Sequence, residues 1–180
     1  MPGADAGAEA HRPLIPASAL LELDRLAEER LARTAAAHRA LVAGAGLTAL
    51  VATTDVHEHG KGLVERLFKA LGVAPLDGGV SCDPDDLAQQ ARESGADLIA
   101  LSTYNGVALS YLAALKRELD IRAVDIPVLI GGRLNQIPEA SNTSLPVEVG
   151  DDLAALGAVV CREVEDAVPA LVDLARKRRP

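Results

Sequence analysis

The sequence predicts an α/β fold: a doubly wound, five-stranded parallel sheet in the order 2-1-3-4-5, preceded by a helical arm. Three observations predict it. Five short apolar runs of strand length recur along the chain, separated by segments with helical periodicity. The helices between them carry the usual punctuation, Asp83-Pro84 at a start and Gly72, Gly95 and Gly157 at ends. Apolar residues make up 49% of the chain, yet there are only one Phe, two Tyr and no Trp. The core must therefore be made of Leu, Val, Ile and Ala, as buried parallel strands are.

Three spans are expected: a disordered Ala/Gly-rich tail over 1–16, a helical arm over 17–45, and the sheet domain over 46–177. In the arm, Leu20, Leu21, Leu23, Leu26, Leu31 and Leu41 interleave with Glu and Arg, and neither Gly nor Pro intervenes before Gly44. That pattern predicts one amphipathic helix of about 25 residues with Ser18 as its N-cap. The helix reads either as an arm packed on its own domain or as a docking element for another protein.

The alternation then begins. Residues 47–54 are the first strand, 60–71 a helix stopped at Gly72, and 73–76 a short second strand. Asp83 caps the next helix, with Pro84 at its first position and acids in its first turn, and the helix runs to Glu93. Residues 96–102 are the third strand, 106–119 a helix, and 127–130 the fourth strand. Residues 131–149 read as irregular, 150–156 as a short helix, 158–161 as the fifth strand and 165–177 as the last helix, with a solvated basic end. Right-handed crossovers between such strands give flavodoxin-like (Rossmann-like) winding, whose switch point lies between the first and third strands. The loops at 55–60 and 102–106 then face one crevice, joined by Gly131-Gly132.

Composition excludes several function classes. A net charge of −8 opposes non-specific binding to nucleic acid, and the lack of aromatics removes a base-stacking platform. No apolar run approaches the ~18 residues of a membrane helix. Residues 1–12 hold acids and lack the apolar centre of a signal peptide. Two cysteines, Cys82 and Cys161, suit structural roles in a reducing cytoplasm, where the protein is expected.

The candidate site is the loop Asp55-Val56-His57-Glu58-His59-Gly60 after the first strand. A neutral imidazole there can ligate a metal while a carboxylate two residues away holds its other N–H. A lone loop histidine is ordinarily a surface residue. What raises His57 above that is spacing: 41 residues (61–101) lead to Ser102-Thr103-Tyr104, and 26 more (105–130) lead to Gly131-Gly132. His59 has no carboxylate two residues before it and is expected at the rim or in solvent. His11 and His38 receive no role, and Glu58 and Lys61 read as solvated loop charges. No Cys/His set has the spacing of a zinc site.

These three motifs together resemble the cobalamin-binding domain family, whose signature is Asp-x-His-x-x-Gly, Ser-x-Leu and Gly-Gly at such separations. The resemblance runs from Leu47 to Leu174, with Tyr104 standing where the family usually has Leu. It implies that His57 is the lower axial ligand of cobalt, replacing the benzimidazole of the cofactor (base-off, His-on). It further implies that Asp55 accepts the other ring N–H and that Gly60 lets the nucleotide loop approach the backbone. Ser102 would bond the displaced benzimidazole, and Gly131 and Gly132 would leave room for the tail. Tyr104 would narrow the crevice or shift the tail.

The resemblance implies a cofactor-binding subunit with no catalytic residue of its own. The Ser102–Gly106 loop looks like that of mutase small subunits, which favours adenosylcobalamin and a radical rearrangement. Gly60-Lys61 looks like methyl carriers, which would use methylcobalamin. Carriers place a four-helix cap ahead of the domain, and the 46 residues before the first strand accommodate one long helix and a tail. A (β/α)₈ catalytic barrel takes about 200 residues or more, so the expected partner is a separate mutase subunit. A methyltransferase partner is the alternative, and a non-catalytic cobalamin carrier or sensor a third. The loop at 133–149 reads as lining the cofactor, contacting a partner, or running over the surface.

Overall fold

The computed structural model describes residues 16–138 and 145–178. The tail expected over 1–16 therefore lies outside the described residues except for Pro16, as do part of the 133–149 loop and the last two residues.

The arm is two helices, α1 (Ala17–Ala32) and α2 (Ala36–Ala43), where one was expected. The break has no Gly or Pro. The backbone N–H groups of Arg33 and Thr34 turn back to Arg30 and Leu31, and Ala35 is extended at ψ 136°. Tertiary packing explains it: α1 lies on the first helix of the sheet domain and α2 on the last, so the chain must change direction between them. Ser18 is not the cap. The carbonyl of Pro16 accepts the N–H groups of Ala19 and Leu20 at 2.9 and 3.1 Å, which puts Ser18 inside the first turn.

The sheet domain follows in order: β1 (Thr48–Thr53), α3 (Glu58–Ala70), β2 (Ala74–Asp77), α4 (Pro84–Ser94), β3 (Leu98–Thr103), α5 (Ala108–Ile121) and β4 (Val128–Gly132). Then come β5 (Asn135–Gln136), β6 (Val147–Glu148), α6 (Gly150–Ala155), β7 (Val159–Cys161), a 3₁₀ turn (Val164–Asp166) and α7 (Ala167–Arg178). Five strands pair in parallel in the order β2-β1-β3-β4-β7. That is the expected winding, with its switch point between β1 and β3.

Period-two alternation divides the core between the faces. Leu50 and Ala52 of β1 join a buried cluster with Leu87 of α4, Leu112 of α5 and Leu153 of α6. Ala49 and Val51 join another with Phe68 of α3, Val42 of α2 and Leu171 of α7. Helices α3 and α7 therefore flank one face of the sheet, and the site lies at the carboxyl ends of the strands.

Two other expectations shift. Gly131 and Gly132 belong to β4, and within the stretch expected to be irregular β5 and β6 pair as a small antiparallel ribbon. The third long helix starts at Ala108 rather than Gly106, which sits before it at φ +75°. No helix among the described residues is long and apolar enough to cross a membrane.

Candidate functional site

One rung of the sheet organises the site. Thr53 of β1, Ser102 of β3, Gly131 of β4 and Cys161 of β7 are register partners in succession. Just past this rung the backbone N–H of Thr54 donates to the Ser102 carbonyl at 3.0 Å, holding the chain to β3 before it turns into α3.

In that turn Asp55 is buried and His57 is the residue before α3, at φ −84°, ψ 94°. One carboxylate oxygen of Asp55, Oδ1, serves two groups. It accepts the backbone N–H of His57 at 2.7 Å and lies 2.7 Å from Nδ1 of the ring. An ionised carboxylate only accepts, so the neutral ring carries its proton on Nδ1 and its lone pair on Nε2. The His57 side chain is 57% exposed while that of Asp55 is 7% exposed. A buried anchor thus fixes an accessible imidazole.

Tyr104 leans on that imidazole, with ring centroids 4.5 Å apart and planes tilted by 38°. The Arg133 guanidinium stacks on the tyrosine ring, 4.1 Å from its centroid. The Arg133 backbone N–H also donates to the Thr103 carbonyl at 2.7 Å. Beneath these rings the Thr54 hydroxyl bonds Asn105 Oδ1 at 3.2 Å, tying the two loops together. Val56 projects beside His57 and is 73% exposed.

A cavity of about 220 Å³ opens from Gly60, three residues beyond His57, between α3 and the segment 161–167. Leu63, Val64 and Phe68 form one wall, and Ser102 and Gly131 form the floor. Small residues keep it open. A Cβ on Gly60 would stand 2.5 Å from the Ser102 hydroxyl, and one on Gly131 would stand 3.0 Å from the Cys161 carbonyl. Gly132 is demanded by the backbone itself: its φ is +97° and a Cβ would meet the Thr103 carbonyl oxygen at 2.3 Å. The Cys161 thiol at this edge is pushed up to about 12 by burial and by Asp166, so it stays protonated.

The seven predicted site residues fall into two adjoining compartments. Asp55, His57 and Tyr104 make the rim, while Gly60, Ser102, Gly131 and Gly132 line the cavity. His59 is exposed, and His11 lies outside the described residues. Lys61 corrects the expectation of a solvated charge. It is 5% exposed, with Nζ 2.5 Å from Glu65 and 3.0 Å from Asp77. Burial works against its charge, and the bonds to the two carboxylates outweigh that, so its pKa sits above the ordinary lysine value. Sequence reasoning missed Arg133, although it directly follows Gly131-Gly132. It also missed Arg30 and Arg162, which line the cavity from an arm helix and from the end of β7. No sequence signal connects Arg30 to the motifs.

The sequence profile of the B12 binding domain family matches residues 45–172, and the chain belongs to that family. Its cofactor class is cobalamin. Among solved structures it is similar to a novel cobalamin-binding protein from Desulfitobacterium hafniense DCB-2, with a TM-score of 0.57 and 19% identity over 72% of this chain and 59% of that one. It is also similar to the methanol:cobalamin methyltransferase complex MtaBC from Methanosarcina barkeri, with a TM-score of 0.54 and 18% identity over 74% of this chain and 52% of that one. At these identities the likeness establishes the fold. The chain spans between half and three fifths of the length of these two structures.

Proposed function

We propose that the chain holds cobalamin base-off and His-on, with His57 ligating cobalt through Nε2, and presents it to a separate catalytic subunit. The observation that carries this reading is the 2.7 Å tie between buried Asp55 and the exposed imidazole, set beside an apolar cavity. Among the described residues no three His, Cys, Asp or Glu side chains converge on a point. A metal at His57 must bring its other ligands with it, as a corrin does. The cavity, at about 220 Å³, is below the ~300 Å³ at which sites for whole drug-sized ligands begin. It would suit one bicyclic ring, the displaced benzimidazole, which Ser102 would bond, and Val56 and Tyr104 would be the rim residues that meet the macrocycle.

Bound cobalamin supplies a cobalt centre for radical rearrangement or for methyl transfer. The chain's own residues bind and orient it: Asp55 sets the tautomer of His57, Tyr104 and Arg133 limit the swing of its ring, and Gly60 and Gly131 admit the tail. We favour adenosylcobalamin and a (β/α)₈ mutase partner, because the Ser102–Gly106 loop resembles mutase small subunits. Lys61 has a structural duty toward Glu65 and Asp77, which lessens the weight of Gly60-Lys61 as a methyl-carrier signal. The second reading, a methyl carrier working with a methyltransferase, is favoured by the fold likeness to the Methanosarcina barkeri complex.

The test is electron paramagnetic resonance of cob(II)alamin bound to uniformly ¹⁵N-labelled protein. Ligation by His57 gives superhyperfine splitting from ¹⁵N, lost in His57→Ala. Splitting from ¹⁴N of the cofactor's own base, or a His57→Ala variant identical to wild type, rejects the ligand. Capture of partners from the native cell then separates a barrel mutase from a methyltransferase.

A further inference from the structure

The arm lies outside the residues that the family profile matches, yet it reaches the cavity. Helix α1 is held on α3 by Leu23, which is 1% exposed, and by Asp24, whose carboxylate lies 2.5 Å from Arg66. Its last turn delivers Arg30 to the cavity wall. Arg30 Nη1 stands 2.9 Å from Glu165 and 3.3 Å from Glu163, and Arg33 stands 3.4 Å from Glu165. Arg162 joins the lining from beyond β7. In a chain of net charge −8, two arginines, Arg30 and Arg162, line one apolar cavity beside Glu163, and Arg162 is itself paired with Glu148 at 3.0 Å.

The chemistry of that lining is specific. A guanidinium is a planar fork of five N–H donors that matches phosphate with parallel bonds. Both ion pairs of Arg30 run through the single nitrogen Nη1, so the fork keeps donors for a third acceptor. Glu165 is 22% exposed and anchors the side chain, whereas Glu163 is 66% exposed, lies farther from Arg30 and also caps the 3₁₀ turn by accepting the Asp166 N–H. An occupant that matches the whole cavity is apolar in its depth and anionic at its mouth.

We propose that Arg30 is a phosphate contact for the nucleotide tail of cobalamin, which makes the N-terminal arm part of the cofactor site. This rests on the reading above that the cavity takes the tail. The phosphodiester links the corrin side chain to the ribose and benzimidazole, so it lies where the tail enters. Arg30 then adds to affinity only for corrinoids that carry that tail.

The test compares cobalamin with cobinamide, the same corrin without the nucleotide phosphate and base, by equilibrium titration of the full chain followed by visible absorption. Arg30→Gln is expected to weaken cobalamin about tenfold or more, the worth of a charged hydrogen bond, and to leave cobinamide unchanged. Arg30→Lys retains part of the difference. Glu163→Gln keeps the guanidinium and binds cobalamin at least as well as wild type. Equal losses for both corrinoids in Arg30→Gln, or a loss in Glu163→Gln matching it, reduce Arg30 to a structural anchor and overturn the proposal, as does an unchanged cobalamin affinity. If wild type binds cobinamide as tightly as cobalamin, the tail cavity itself is refuted. If it binds neither, the cobalamin reading falls and Arg30 with it.

Discussion

Oδ1 of Asp55 lies 2.7 Å from Nδ1 of His57 and 2.7 Å from the backbone nitrogen of the same residue. The carboxylate therefore sets both where the histidine leaves the strand and how its ring is turned. Replacing it separates these duties. Asp55→Asn keeps an acceptor oxygen but a neutral one, so the fold is expected to persist while the His-on fraction of bound cobalamin and its affinity both fall. Asp55→Ala also leaves the His57 N–H unpaired, a loss of about 1–3 kcal/mol readable by urea unfolding. An Asp55→Asn protein with wild-type affinity and spectrum would show that the pair does not tune the ligand.

Gly60 and Ser102 form the second informative pair. A methyl group on Gly60 would stand 2.5 Å from the serine hydroxyl. Alanine at a helical position ordinarily stabilises by up to about 1 kcal/mol relative to glycine, so an unhindered Gly60→Ala would raise stability. We expect no gain or a small loss, because the hydroxyl must rotate away, together with weaker cobalamin binding. In the Ser102→Ala background the same change should be stabilising. This double-mutant cycle reads the contact directly. Additive effects would mean that the two residues do not meet.

The glycines at the end of β4 should differ in kind. Gly132→Ala meets a backbone carbonyl at 2.3 Å in a left-handed conformation, so nothing flexible can yield. Gly131→Ala meets one at 3.0 Å with no such backbone demand. Thermal unfolding should therefore rank Gly132→Ala well below Gly131→Ala, with the former losing several kcal/mol (~3 or more). Gly131→Ala should cost mainly cavity depth and hence cobalamin affinity. The reverse ranking would refute this division of roles.

The parts of the site that were legible in the sequence are those whose neighbours are local or set by strand ends. Asp55 and His57 are two residues apart, and Ser102 and Gly131 meet because each ends an apolar run that the sheet places in register. What stayed hidden depends on non-local packing. The arm breaks at 33–35 without Gly or Pro because α1 and α2 rest on different helices, and it is the packing of α1 on α3 that brings Arg30 to the cavity. Lys61 reads as solvated until Asp77, at the end of β2, arrives beside it. The β5–β6 ribbon has two residues per strand, too few for alternation to show.

Alkaline pH offers a test of the core independent of any cofactor. Burial pushes the Cys161 thiol up to about 12 from an ordinary value of 9.0. Burial likewise raises Cys82 and the Tyr111 phenol, whose hydroxyl donates to the Cys82 carbonyl at 2.6 Å. Each is an acid that the fold keeps neutral and the unfolded chain releases. The unfolded state thus binds fewer protons above pH 9, and stability falls as pH rises. The contribution of Cys161 is complete below its unfolded value and is lost progressively from pH 9 toward 12. One such group changes stability by at most about 1.4 kcal/mol per pH unit. Urea unfolding at pH 8, 9 and 10 should show a decline that is shallower in Cys161→Ala. At pH 8 the native Cys161 should also resist iodoacetamide, since the thiolate is the reactive form. Rapid alkylation of Cys161 in the folded protein, or an unchanged slope in Cys161→Ala, would place the thiol in solvent rather than against Ala167 and the cavity floor.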